Sequence, residues 1–293
     1  MYYFKIPVSG TVFFLIMFEN LVDREVNLHT HIYLCKHASG TVEDYCREAV
    51  RSGLRVLGIS DHAPLPEGRR AATRMDMAQI AEYAAMFAPA REKFPELTLL
   101  SGMEADVDFD TPKEYFTDGI LKKYDLDYLA AGVHCVRYPD LELTTINPKK
   151  RFGIEVFRKF IDDTVTLMEW GIFDFITHPD IMLLTLDRWD SRIEKELSRI
   201  PAAAERTGTP LEINAYGMRK PMIEYADGLR HQYPVMNFWE MASSYRISCV
   251  IGSDAHRPID VFGNSEEAYA IAEKFNIPCV NAEVAQKIIK RRA

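Results

Sequence analysis

From residue 26 onward, short apolar runs alternate with longer amphipathic stretches, and this alternation constrains the fold more than any other feature of the chain. The apolar runs are residues 26–28, 54–59, 97–100, 126–133, 172–176, 210–213, 247–251 and 277–280. Between them, residues 42–52, 76–94, 154–170, 190–207 and 265–275 carry apolar side chains at three- and four-residue spacing, as in Ile154, Phe157, Phe160, Ile161, Val165 and Met168. Strands separated by such helices build parallel βαβ units. Seven or eight of them in a chain of this length suit a closed (β/α) barrel better than two packed domains. An open doubly wound sheet is the alternative, but no G-x-G-x-x-G or G-x-x-x-x-G-K-[ST] follows any run, so dinucleotide and P-loop chemistry lack support. With no linker, repeat or low-complexity tract, residues 21–293 read as one domain.

Residues 1–20 stand apart. Thr11 to Phe18 form an apolar run too short to span a bilayer, which takes about 20 residues. Its flanks are poor for a secretion signal: Lys5 is its lone upstream charge, and Glu19 and Asn20 stand where small residues belong. The segment is expected to add a strand or hairpin, unless Met17 is the natural start and the preceding residues are no part of the protein.

Composition narrows the partners. The 293 residues are 47% hydrophobic and 27% charged with a formal charge of −8, an ordinary globular balance that gives no long-range pull on nucleic acid. No nucleic-acid or membrane partner is expected. Cys35, Cys46, Cys135, Cys249 and Cys279 form no close pair and no C-x-x-C, which points to a reduced, cytoplasmic chain without a disulfide framework.

The eight histidines become informative by position. Run one ends in His29-Thr30-His31, where an extended backbone puts both rings on one face. His37 follows in a loop before a helix that Thr41, Glu43 and Asp44 can start. Run two ends Ser60-Asp61-His62, run three Met103-Glu104, run four Val133-His134, run five Thr177-His178, and run seven Ser253-Asp254-Ala255-His256. A lone histidine after an apolar run is more often a hydrogen-bonded core residue than a ligand. Six strand ends bearing imidazoles and carboxylates are another matter, because groups converging there stay unsatisfied unless a positive charge joins them. Nitrogen and oxygen donors suit Zn, Mn or Fe. Several such ions together favour phosphate ester hydrolysis, in which a metal-bound hydroxide attacks in line.

The ordered segments HTHIYLCKHASGT, GISDHAPLP, SGMEADVD, AAGVHCV, FITHPDI and IGSDAH resemble the polymerase and histidinol phosphatase (PHP) family, over nearly the whole span from Glu25 to Asn281. The likeness is strongest to its stand-alone histidinol-phosphate phosphatase branch. It implies a distorted (β/α)7, TIM-like barrel with three divalent metal ions at the C-terminal ends of the strands. Carried over motif by motif, His29, His31, Glu104 and Asp254 hold one ion. Glu104 bridges to a second held by His134 and His178, and His37, His62 and His256 hold the third. Asp61, beside a ligand, is expected to orient a ligand or bridging solvent and to take part in proton transfer, and with the ligands Glu104, Asp254 and His256 it makes up the expected catalytic set.

Leu211-Glu212-Ile213-Asn214, Gly217-Met218-Arg219-Lys220 and Tyr233-Pro234 look like the signature of that branch. Arg219 is the first candidate for a phosphate contact, since a guanidinium grips two oxygens at once, with Lys220 behind it. One departure concerns the substrate. Many of these phosphatases carry basic residues after the fifth-strand histidine, whereas here the chain continues Pro179-Asp180-Ile181-Met182. Arg188, Arg137, Arg74 or Lys36 then supplies the missing cation, or the substrate differs. The loop holding Arg69, Arg70 and Arg74 is a candidate lid, with Arg74 as its substrate contact.

The expected activity is hydrolysis of L-histidinol phosphate to L-histidinol and phosphate in histidine biosynthesis. The alternatives are a family phosphoesterase for a nucleotide or sugar phosphate, a nuclease, and a non-catalytic metal-binding module. A two-metal amidohydrolase, which also begins with H-x-H, leaves His37, His62 and His256 without a task.

Overall fold

The computed structural model describes residues 20–106, 110–137 and 143–292. Nearly all of the apolar extension, and the expected added strand with it, lies outside the described residues. Seven parallel strands pair in chain order: β1 (Val26–Asn27), β2 (Val56–Ile59), β3 (Thr98–Asp106), β4 (Tyr128–Gly132), β5 (Phe175–Ile176), β6 (Leu211–Asn214) and β7 (Cys249–Gly252). The register runs Val26 to Val56, Val56 to Thr98, Gly102 to Tyr128, Ala130 to Phe175, Ile176 to Leu211 and Leu211 to Cys249. The last seam, between β1 and β7, is held at the top by a bridge between Thr30 and Ala255. The result is a nearly closed α/β barrel of the TIM-like kind.

The eighth apolar run, residues 277–280, does not become a barrel strand. Cys279 makes one bridge to Cys249, and the chain then enters helix α5 (Asn281–Arg292) beneath the barrel. The reason is visible in Asn281. Its amide donates to Val26 O at 3.1 Å and to Ile251 O at 2.8 Å and accepts from Ile251 N at 2.8 Å, so one side chain joins β1 to β7 where an eighth strand would stand.

The helices lie between the strands. α1 (Val42–Arg51) starts at Thr41 in a capping box, with Asp44 N donating to Thr41 Oγ1 at 3.3 Å and Thr41 N to the Asp44 carboxylate at 2.9 Å. α2 (Ile154–Trp170) ends at Gly171 in the left-handed conformation, as C-terminal glycines favour. The stretch 76–94, expected as one helix, is two, Ile80–Ala85 and Phe87–Lys93; 190–207 likewise divides into Ser191–Leu197 and α3 (Arg199–Thr207). Pro89 and Pro201 explain both breaks, since neither can donate to the carbonyl four residues back. α4 (Ser265–Lys274) follows β7. Among the described residues no helix is long and apolar enough to cross a membrane.

Strand periodicity sorts the side chains. On β3, Leu99, Met103 and Ala105 join the core between strands and helices, whereas Leu100 faces the bore with Val26, Leu28, Val56, Tyr128, Phe175 and Val250. Tyr128 fills the bore and donates to Leu28 O at 2.6 Å. Gly58 and Gly102 leave it room, as a Cβ at either would fall 2.3 Å from the tyrosine. Val284, Ala285, Ile288 and Ile289 of α5 close the floor. The bore is therefore packed below, and its open, polar level is the C-terminal ends of the strands.

Candidate metal centre

The polar residues gather at and just past the C-terminal ends of the strands. His29 and His31 follow β1, Glu104 lies on β3, His134 follows β4, His178 follows β5, and Asp254 and His256 follow β7. The loop after β2 folds across β3, pairing His62 with Glu104. His37 comes from the turn before α1, where Ser39 N donates to His256 O at 2.9 Å. Two of these residues sit in the left-handed region that non-glycine residues avoid, His178 at φ 29° and Asp254 at φ 47°. Strain of that kind collects at functional sites.

The rings converge. Neighbouring centroids lie 5.1 Å apart for His29 and His31, 4.4 Å for His31 and His62, 4.4 Å for His31 and His256, 4.8 Å for His37 and His256, and 4.5 Å for His134 and His178. In four of the seven, Nδ1 already has a hydrogen-bond partner. His29 meets Glu212 Oε1 at 2.6 Å and His31 meets Asp61 Oδ1 at 3.3 Å, while His134 Nδ1 lies 3.4 Å from Asp106 Oδ2 without a hydrogen bond. His37 meets Cys35 O at 2.8 Å, and His256 meets Asp254 O at 3.0 Å. A ring held at Nδ1 presents Nε2 as its lone-pair donor, which is how ligand histidines are oriented.

The carboxylates lie among these nitrogens. Glu104 Oε2 is 2.9 Å from His62 Nδ1, 3.6 Å from His31 Nε2 and 3.7 Å from His29 Nε2. Its Oε1 is 2.9 Å from His178 Nε2 and accepts from Thr177 Oγ1 at 2.7 Å. Asp254 Oδ1 is 3.1 Å from His31 Nε2. Burial disfavours the charged forms, yet the imidazoles of His134, His62 and His29 hold Glu104 well below the usual carboxylate range, and those of His29, His31 and His256 do the same for Asp254. Against the same burial, Glu212, Asp254 and Glu104 hold His29 well above the usual histidine range, and Asp254 and Asp61 raise His31 to about 9. His256 falls to about 3 through burial and the nearby His31. The pocket is thus built around ionised carboxylates that require positive charge.

Divalent cations fit that requirement. His29 Nε2 and His31 Nε2 face each other at 3.0 Å, and Glu104 Oε2, Asp254 Oδ1 and Asp61 Oδ2 are buried without hydrogen-bond partners. Donor atoms of His29, His31 and Glu104, of His31, His62 and His256, and of His62, Glu104 and His134 cluster closely enough to share an ion. His231, the eighth histidine, lies outside the cluster beside Met222 and Leu229.

The expected substrate cations divide. Arg74 is fully buried, and its three nitrogens donate to Arg70 O, Ala63 O and Asp106 Oδ2 at 3.3, 3.1 and 2.9 Å. In this arrangement it braces the loop after β2. Arg219 donates to Gly263 O at 2.6 Å, to Asp254 O at 3.3 Å and to Ser253 O. Its two terminal nitrogens thus brace the turn after β7, while its Nε is buried without a hydrogen-bond partner. Lys220 differs: its ammonium lies 4.3 Å from the centre of the Tyr216 ring and 5.4 Å from that of Tyr233, and Tyr216 stacks on His256 at 4.7 Å. Burial lowers its pKa, and Asp254 pulls the other way. Among the other cations considered, Lys36 is tied to Asp76 at 3.1 Å and Arg137 to Asp110 at 2.6 Å. Arg188 lines a separate cavity with Phe152 and Arg192.

Asp106 and Glu212 were given no role from sequence. Both are buried carboxylates beside a cluster histidine. Strand periodicity carried a signal: Asp106 stands two residues after Glu104, and Glu212 and Asn214 alternate with the apolar Leu211 and Ile213.

Comparison with known proteins agrees with this geometry. A family model described as the PHP domain matches residues 27–216. A Deinococcus radiodurans protein named a probable histidinol-phosphatase is 30% identical over 237 residues, which is 80% of this chain and 86% of that protein. A histidinol-phosphatase of Bacillus subtilis is 23% identical over 268 residues, 82% of this chain and 96% of that one. In fold, the chain resembles a Lactococcus lactis histidinol phosphate phosphatase crystallised with zinc, L-histidinol and phosphate, at a TM-score of 0.63 and 15% identity, covering 86% of this chain and 94% of that one.

Proposed function

The chain belongs to the PHP domain family, and we propose that it is a metal-dependent phosphomonoesterase that hydrolyses L-histidinol phosphate to L-histidinol and inorganic phosphate. The observation that carries this reading is the convergence of seven histidines on Glu104 and Asp254, most of them with Nδ1 already engaged. The Deinococcus and Bacillus relatives bear the name of this activity, and the related Lactococcus enzyme binds both products. These support the choice of substrate.

His29, His31, Glu104 and Asp254 would hold one ion; Glu104, His134 and His178 a second; His37, His62 and His256 a third. Bound divalent cations supply Lewis acidity toward phosphoryl oxygens and lower the pKa of water, and nitrogen and oxygen donors accept Zn, Mn or Fe. Asp61, which accepts from the backbone N–H of His62 at 2.9 Å and meets His31 Nδ1 at 3.3 Å, holds the turn after β2 and keeps the His31 ring aimed at the centre. Of the expected substrate cations, Lys220 is placed to act: its charge, held between two tyrosine rings and attracted by Asp254, would neutralise a phosphoryl oxygen. It stands in for the cations missing after His178.

The test is turnover. Phosphate release from L-histidinol phosphate, a nucleoside monophosphate and a sugar phosphate is compared after loading with Zn, Mn or Fe(II), alongside cleavage of a short single strand. A clear preference for L-histidinol phosphate is expected. Equal or better turnover of another ester would replace the substrate, and no activity with any metal would remove the enzyme reading.

A further inference from the structure

Glu212 belongs to none of the proposed ligand sets, yet it is fully buried beside them. Its Oε1 lies 2.6 Å from His29 Nδ1. Its Oε2 accepts from the backbone N–H of His178 at 2.9 Å and from the side-chain amide of Asn214 at 2.8 Å. Asn214 in turn donates to Asp254 Oδ2 at 3.1 Å. One carboxylate on β6 thus reaches the polar ends of β1 and β5 directly and that of β7 through one amide. Among the described residues no lysine or arginine pairs with it. The fold also keeps its place open: a Cβ at Gly252 would lie 1.7 Å from Oε1 and 3.0 Å from His29 Cβ. A buried carboxylate surrounded by donors from three strands, in a slot that admits no side chain, has more than a packing role.

We infer that Glu212 is a positioning residue that organises two ion sites at once. By accepting the Nδ1 proton of His29 it commits Nε2 of that ring to a cation. By holding the His178 amide it fixes the strained turn that presents a ligand of a second ion, and through Asn214 it orients Asp254. Asp61 and Asp106 face the rings of His31 and His134, but each addresses one ring at longer range. Glu212 joins sites that would otherwise be assembled separately.

The inference rests on the metal-dependent reading, and the experiment separates the two. Bound metal per chain and affinity by chelator competition, using Zn and Mn, are measured for the wild type, Glu212→Gln and Gly252→Ala. Nitrogen-15 histidine spectra of the zinc-loaded proteins report the tautomer of His29. Gln keeps the size of the side chain and loses its charge, so Glu212→Gln should fold normally by circular dichroism. It should bind metal about 10- to 100-fold more weakly, the usual effect of losing an outer partner of a ligand, and should populate the other His29 tautomer, which a merely structural role would not change. Gly252→Ala should weaken metal binding in the same direction by displacing the carboxylate; if it fails to fold, Glu212→Gln decides alone. Metal binding by the wild type with unchanged affinity and tautomer in Glu212→Gln would overturn the role of Glu212 and leave the metal reading standing. A wild type that binds neither ion would overturn both.

Discussion

In the lower bore, Val26, Leu28, Val56, Leu100, Tyr128, Phe175 and Val250 pack against Ile288 and Ile289 of α5. In the upper bore the same strands end in His29, Glu104, His178, Glu212 and Asp254, all buried. The lower half gains stability from each apolar surface it removes from water. The upper half pays desolvation for every charge and recovers it through mutual attraction and, on the proposed reading, through cations. A single protein therefore separates stability from chemistry along the axis of its strands, and substitutions at the two levels should fail in different ways.

The largest effect is expected at the top. Replacing His29 and His31 together with Ala should reduce hydrolysis of L-histidinol phosphate to background while circular dichroism shows the chain still folded. Unfolding instead would mean that the upper level is also a structural core. Next comes the floor: Ile288→Ala, at a fully buried position, should lower stability by about 2–5 kcal/mol in chemical denaturation, with turnover per folded molecule unchanged. Lys220→Ala at the rim should reduce kcat/KM about 10- to 100-fold, as expected when a charged hydrogen bond is lost, without reducing bound metal measured by elemental analysis. A fall in metal content would place Lys220 among the groups that shape the ion sites.

The smallest effect compares two buried acids. Glu104, among imidazoles, is held well below the usual carboxylate range, whereas Asp163 on α2 is raised to about 6 by burial, with Lys159 as its partner. For Asp163 the folded state binds the proton more tightly than the unfolded chain, so its contribution to stability declines as pH rises from about 4 through 6. Asp163→Asn lacks that dependence. Its stability relative to wild type should increase by up to about 2–3 kcal/mol between pH 4 and pH 7. Parallel curves for the two proteins across this range would show that Asp163 titrates normally.

Much of the upper level was legible in the residues themselves. The apolar runs mark where strands end, and the first polar residues after them are the ones the structure brings together. The eighth run left the strand number open between seven and eight, because hydrophobicity does not distinguish a barrel strand from a segment passing beneath one; Asn281 fills the gap instead. The two long helices broke at Met86 and Ser198, each three residues before a proline, Pro89 and Pro201, a signal present in the sequence but outweighed there by apolar spacing.

By itself the sequence determined the alternation of strand and helix, the level at which polar residues emerge, and the donor types gathered there, because these depend on local periodicity and residue chemistry. The tertiary structure alone decided which cation faces the cluster, which braces a loop, and which carboxylate orients which ring. Arg219 and Lys220 are neighbours in the chain, yet one is bound to carbonyls after β7 and the other rests between Tyr216 and Tyr233. Glu212 meets His29 across 183 residues. A hydrogen bond forms with whichever partner the fold brings within about 3 Å at a workable angle, and that distance is set by how the strands close, not by their order in the chain.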